Sequence, residues 1–185
     1  MRRILSVFML IVLAFSLSLS LVSCGKQTNV VEIRVKDYGS IVVELYPDVA
    51  PITVQNFKDL VSDGFYEGSL FHRVIEDFMI QGGASAKGKR AKTIYGEFTA
   101  NGFVNRLSHT RGVISMARAN AANSASSQFF IVHEDSLHLD GYYAAFGRVI
   151  SGMDVVDAIA AVDTDSSDRP ETDVIIEKIV FLKEK

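Results

Sequence analysis

Apolar and polar residues alternate along residues 31–36, Val-Glu-Ile-Arg-Val-Lys, and such alternation predicts a strand with one buried face. Asp37, Tyr38, Gly39 and Ser40 then form a turn signal, and residues 41–46 read as the partner strand of a hairpin. The period changes after that. Val54, Phe57, Leu60 and Val61 recur at helical spacing behind Pro51, a residue suited to a first helical turn, and Gly64 stands where such a helix ends. From residue 65 to 146 the pattern is one of short apolar runs between glycine-bearing loops, and it predicts strands over 71–74, 79–81, 112–117, 128–132 and 144–150. A second helix is predicted over 153–161, with Ser151 as its cap and Asp154 as the third residue behind that cap. Residues 174–182 alternate again and predict a closing strand. Many short strands with two helices indicate a closed β-barrel whose ends the helices cover.

The first 24 residues follow a different logic. Met1-Arg2-Arg3 is a short basic start, and residues 4–22 are apolar but for Ser6, Ser16, Ser18 and Ser20. This is the layout of a secretory signal: charged region, apolar region, small residue before the cut. Leu21-Val22-Ser23-Cys24 resembles a bacterial lipobox, in which the cysteine is lipidated and becomes the new N-terminus. The other reading is an uncleaved anchor, since the run approaches the roughly 20 residues that span a bilayer. The serines, and a cysteine where the apolar run stops, favour lipidation at Cys24. The chain then divides into a signal peptide over 1–23, a lipidated cysteine and short tether over 24–29, and one domain over 30–185. Under either reading the domain lies outside the cytoplasm, tethered to a membrane.

Composition narrows the chemistry. Cys24 is the single cysteine, so once lipidated it leaves the domain without a disulfide or a thiol nucleophile. Loss of residues 1–23 removes Arg2 and Arg3, leaving 17 basic residues against 22 acidic ones. A mildly acidic domain is a poor partner for nucleic acid. His72, His109, His133 and His138 fall in no HExxH spacing, and no Gly-x-Ser-x-Gly elbow is present, so neither a metal nor a serine nucleophile is indicated. Two islands stand out instead. In residues 71–83 and 126–132, Arg73, Gln81 and Gln128 are set among aromatic and sulfur-bearing side chains. That mixture suits a shallow apolar pocket with a few fixed polar groups.

Phe71-His72-Arg73-Val74-Ile75, Phe78-Met79-Ile80-Gln81-Gly82-Gly83, residues 112–117, residues 127–131, Leu139-Asp140-Gly141 and Phe146-Gly147 together resemble the signature of cyclophilin-type peptidyl-prolyl cis-trans isomerases, in order and over nearly the whole domain. The resemblance implies a mainly β fold, a closed eight-stranded antiparallel β-barrel capped by two α-helices. It implies isomerisation of X-Pro bonds in proline-containing polypeptide segments, here during the folding of exported proteins, without a cofactor or metal, and nothing in the sequence indicates more than a monomer. Carried over by motif position, Arg73 is the catalytic hydrogen-bond donor, and Gln81 holds Arg73 and bonds the substrate backbone. Phe78, Met79, Phe130 and Leu139 form the proline pocket. The backbone of Ala117, Arg118 and Ala119 pairs with the peptide, and Gln128 lines an adjoining pocket. Tyr143 stands where many members have a histidine that closes the proline pocket. Strand alternation turns His72 away from that pocket.

The chain departs from the family pattern in three places. His138 replaces a tryptophan that helps bind cyclosporin in many eukaryotic members, which implies weak binding of the drug. Arg118 replaces an asparagine. The loop over residues 84–92 is short and carries Lys87, Lys89, Arg90 and Lys92, which places positive charge near the rim of the site. A proline-binding chaperone or surface module with little turnover would keep the same pocket; the presence of both Arg73 and Gln81 favours the enzyme.

Overall fold

A computed structural model describes residues 28–182. The signal peptide, Cys24 and most of the tether lie outside the described residues. The elements are β1 (Val30–Val35), β2 (Gly39–Leu45), α1 (Pro51–Ser62), β3 (Ser69–Ile75), β4 (Met79–Gly82), β5 (Val113–Met116), β6 (Phe129–Val132), β7 (Ala145–Ser151), α2 (Met153–Ala160) and β8 (Val174–Phe181), with 3₁₀ turns at Thr99–Asn101 and Leu137–Leu139. The strands close a barrel in the order β1-β2-β7-β5-β6-β4-β3-β8. All its pairings are antiparallel. Closure leaves no unpaired sheet edge.

Alternation sets the core. Val31, Ile33 and Val35 of β1 and Ile41, Val43 and Leu45 of β2 all point inward and are buried. Helix α1 covers one end with Val54, Phe57 and Val61. Phe57 packs against Tyr66 at 5.3 Å, Phe129 at 5.6 Å and Phe146 at 5.3 Å between ring centres. Helix α2 contributes Val155, Val156, Ile159 and Ala160. At the end of α1, Phe65 N–H donates to the Leu60 carbonyl and Gly64 N–H to that of Val61. This is the paired bond that stops a helix at a left-handed residue, here Gly64 with φ +59°.

Neither helix start carries a side-chain cap of its own, and at α2 this differs from the sequence expectation. Ser151 is the last residue of β7, and the cap of α2 is Gly152 at φ +86°. A Cβ on Gly152 would meet Ser40 O at 2.2 Å, so the close crossing of β2 excludes any larger residue. At α1 the cap is Ala50, which offers no side-chain bond. The fully buried Glu97 supplies it from across the chain, its carboxylate accepting Ile52 N–H at 3.0 Å and Thr53 N–H at 2.7 Å. A carboxylate there satisfies two orphan donors and complements the helix dipole. Glu97→Ala is expected to lower stability by about 2 kcal/mol in chemical denaturation, because Thr53 N–H stays buried without a partner and Ile52 N–H loses its acceptor in a part-buried position. Glu97→Gln, which keeps one acceptor, is expected to lose less.

Candidate active site

Strands β4, β5 and β6 are buried on both faces. Ile80, Ile114, Met116, Phe129 and Ile131 join the barrel core, whereas Met79, Val113, Phe130 and Val132 join Leu139 and Ala145 in a second, smaller cluster. Two buried faces explain why residues 129–132 read as an unbroken apolar run. Phe78, Ala117 and Tyr143 pack on that outer cluster half-buried. They frame a cavity of about 140 Å³ lined by Arg73, Phe78, Met79, Gln81, Ala117, Arg118, Phe130, Leu139 and Tyr143. Small-molecule sites run to roughly 300–1,000 Å³, so this hollow suits a single apolar side chain or ring.

Pairing delivers the polar groups to its edge. The register of β3 on β4 slips between Phe71 and Arg73, which sets Arg73 opposite Gln81. A bulge of this kind re-aims a side chain. His72, the residue inside the slip, lines a separate hollow with Ala84, Ser85 and Ala86, away from the site as alternation suggested. On the other side β6 sets Phe130 opposite Gln81. Gln128 and Ala119 line an adjoining cavity that shares Gln81, Ala117 and Arg118 with the first.

The structure adds to or differs from the sequence expectation at four places. Gln81 does not hold Arg73: its Nε2 donates to Gln128 Oε1 at 2.9 Å, and Arg73 Nε donates to Asp168 Oδ2 at 3.1 Å. The two residues are cross-strand partners, but Arg73 finds a carboxylate on another element and Gln81 a second amide. His138 lines neither cavity; it is exposed and rests on the Phe78 ring at 5.5 Å. Residues 84–92 also line neither cavity: Lys87 pairs with Glu67 at 3.4 Å, and Lys92 lies beside the start of α1. The fourth place is the 117–119 backbone. Ala117 N–H donates to Gln128 O, Ala119 N–H to Ser124 Oγ, and the Ala119 carbonyl accepts Arg118 Nη1. Among the described residues, Arg118 is the one of the three whose own N–H and C=O both carry no hydrogen bond, so strand-like pairing with a peptide falls to it.

The Arg118 side chain has a structural place too. Its guanidinium lies 5.1 Å from the Phe98 ring centre and 4.8 Å from that of Tyr143, and its Nε donates to Tyr142 O at 2.8 Å. It is the cation at the rim that the 84–92 loop does not supply, and it braces Tyr143 against the cavity. Stacking on aromatic faces is a use of arginine that asparagine does not share.

A layer beneath the pocket was not legible as a unit in the sequence. His109 is buried, with Nδ1 2.8 Å from Asp140 Oδ1 and Nε2 2.9 Å from Ser115 Oγ. The order Ser-His-Asp has the look of a nucleophilic triad, but Ser115 is fully buried and out of reach of any substrate. The layer supports the floor instead: the His109 ring stacks on Phe130 at 6.0 Å. Burial lowers the His109 pKa, against the opposing pull of Asp140. Burial pushes the Asp140 carboxyl up, but the hydrogen bonds from His109 and Ser108 outweigh it and leave the group below the usual range. The folded chain therefore binds the His109 proton more weakly than the unfolded chain does. This contribution to stability is full above the ordinary histidine value of 6.5. It falls as the pH drops through the depressed folded value, by at most about 1.4 kcal/mol per pH unit. Urea melts between about pH 7.5 and pH 5.5 are expected to show that slope in wild type and a flatter one in His109→Gln.

A model of the family described as Cyclophilin type peptidyl-prolyl cis-trans isomerase/CLD matches residues 30–181. The chain belongs to this family. The cyclophilin is 44% identical over 155 residues to peptidyl-prolyl cis-trans isomerase B of Escherichia coli, across 77% of this chain and 94% of that one. It is 45% identical over 146 residues to peptidyl-prolyl cis-trans isomerase ppi1 of Schizosaccharomyces pombe, across 78% and 94%. Among solved structures it superposes on a Cryptosporidium parvum cyclophilin type isomerase, crystallised in the presence of the dipeptide Ala-Pro, with a TM-score of 0.72 and 30% identity over 84% of this chain and 99% of that one. The closed eight-stranded antiparallel barrel with its two helices is thus the cyclophilin fold, and the activity is the family's, peptidyl-prolyl cis-trans isomerisation. Among the described residues no group of three His, Cys, Asp or Glu side chains is placed to hold a metal ion.

Proposed function

We propose that the chain accelerates rotation of X-Pro bonds by holding the proline ring in the apolar hollow and donating a hydrogen bond from Arg73 to the proline nitrogen as the amide twists. One observation carries this reading: Arg73 lines a cavity whose other walls include Phe78, Met79, Phe130 and Leu139. The planar amide resists rotation by about 18–20 kcal/mol. Twisting removes resonance and leaves the nitrogen pyramidal, with a lone pair that accepts a hydrogen bond. A donor aimed at that nitrogen binds the twisted state better than either planar one, and differential binding of this kind is catalysis. A guanidinium suits the task because it keeps its charge and its fork is stiff. No covalent step is needed. Arg118 N–H and C=O hold the peptide backbone, and Gln81 and Gln128 face its next residues.

The same reading places the enzyme outside the cytoplasm as a monomer tethered through a lipid on Cys24. The signal-like residues 1–23 and the cysteine that follows them support this. Residues 25–29 extend under about 18 Å, so the barrel works close to the membrane surface on exported proteins, whose slow proline steps limit folding. Cyclosporin binds weakly, because His138 offers less apolar surface than the family's tryptophan. The test is exchange between cis and trans forms of a short X-Pro peptide, with the full chain added in catalytic amounts. Acceleration supports the reading. Binding of the peptide without acceleration makes the chain a proline-recognising module instead.

A further inference from the structure

Asp168 lies outside the barrel, in the connection between α2 and β8, 95 residues along the chain from Arg73. That connection is a tightly fastened turn. Asp165 N–H donates to Arg169 O at 2.8 Å, and Asp168 N–H to Asp165 O at 3.0 Å. The Asp165 carboxylate accepts the N–H groups of Ser167 at 2.8 Å and Arg169 at 3.1 Å. Thr164 and Pro170 form a β-bridge at the base of the turn. The turn is also joined to the site: the Asp168 carbonyl accepts Val74 N–H, next to Arg73, at 2.8 Å. Asp168 itself sits at φ +63°. That left-handed backbone admits Asn or Asp, with Gly more easily still. The backbone alone thus does not call for a carboxylate.

The carboxylate's partner does. Arg73 Nε donates to Asp168 Oδ2 at 3.1 Å, and among the described residues this is the guanidinium's one hydrogen bond. The fork carries five N–H donors in a fixed plane. Holding the Nε–H fixes the direction of that plane and leaves the N–H groups of both Nη atoms for a ligand. Both side chains are 42% exposed, so as a surface ion pair the contact adds little stability. Its value is geometric.

We propose that Asp168 is a positioning residue for the isomerase reaction: it anchors Arg73 Nε so that the Nη donors face the proline nitrogen. The proposal rests on the reading of Arg73 as the catalytic donor. It makes the α2–β8 connection part of the working site, although none of its residues lines the cavity.

The test compares Asp168→Ala, Asp168→Asn, Arg73→Ala and the Arg73→Ala/Asp168→Ala double variant in the full chain. Three readouts are taken: turnover of an X-Pro peptide, its Kd, and the Arg73 Nε–H signal by NMR. Displacing a catalytic group by about 1 Å lowers rates by up to 100-fold. Asp168→Ala is accordingly expected to lower turnover by roughly 10-fold, with peptide Kd within about twofold and the Nε–H signal shifted toward that of a free arginine. Asp168→Asn keeps an oxygen acceptor and is expected to recover most of the rate. In the double variant, Asp168→Ala should add no further loss. Wild-type turnover in Asp168→Ala, or an equal loss with and without Arg73, would overturn the proposal. Full turnover in Arg73→Ala would overturn the catalytic reading of Arg73 first, and the Asp168 proposal with it.

Discussion

Phe130→Ala is expected to lower peptide affinity by at least about tenfold and stability by about 3–5 kcal/mol. Phe130 is 4% exposed and serves two structures at once. One face belongs to the proline-sized cavity, while the ring also stacks on His109 and meets Tyr143 edge-on at 5.8 Å. Truncation opens the cavity floor and removes the roof of the His109 layer. Phe130→Leu keeps most of the volume and is expected to lose about 1.5 kcal/mol or less. Denaturant melts and peptide titration separate the two effects. A loss of affinity in Phe130→Ala without a loss of stability would mean that the ring is not packed as described.

Arg73→Ala is expected to lower kcat/KM by about 100- to 1,000-fold, the range found when one donor aimed at a transition state is removed. Peptide Kd is expected to change only a few-fold, because the apolar walls and the Arg118 backbone hold the ground state. Arg73→Lys keeps the charge but loses the stiff fork and the bond geometry to Asp168. It is expected to recover only a small part of the rate. Steady-state kinetics on an X-Pro peptide read both.

What the sequence made legible follows from what kind of force each feature depends on. The barrel hairpin at 31–46 and the helix with Val54, Phe57 and Val61 rest on burial with a regular period, and period is visible in one dimension. The pocket walls were legible because Phe78, Met79, Phe130 and Leu139 come in a resembling order of motifs. Partners set by tertiary approach were not. Glu97 caps a helix whose Ile52 lies 45 residues before it, and nothing near residue 52 announces it. The local sequence marks Ser151 rather than Gly152 as the cap, because the reason for glycine there is the Ser40 carbonyl of another strand. Motif position pairs Arg73 with Gln81, while its carboxylate partner lies in a polar connection with no periodicity at all. The left-handed aspartate in that connection marks the turn, and it shows only in the backbone.

Arg73 is expected to speed rotation of the bound peptide rather than its binding to the enzyme. The most direct measurement is NMR exchange of a short X-Pro peptide at saturating protein, which reports interconversion of the bound cis and trans forms. Wild type is expected to interconvert the bound forms far faster than the tens to hundreds of seconds of the free peptide. Arg73→Ala is expected to slow this by about 100-fold or more, with the peptide still bound. Bound-state exchange that stays fast in Arg73→Ala would contradict this role of Arg73.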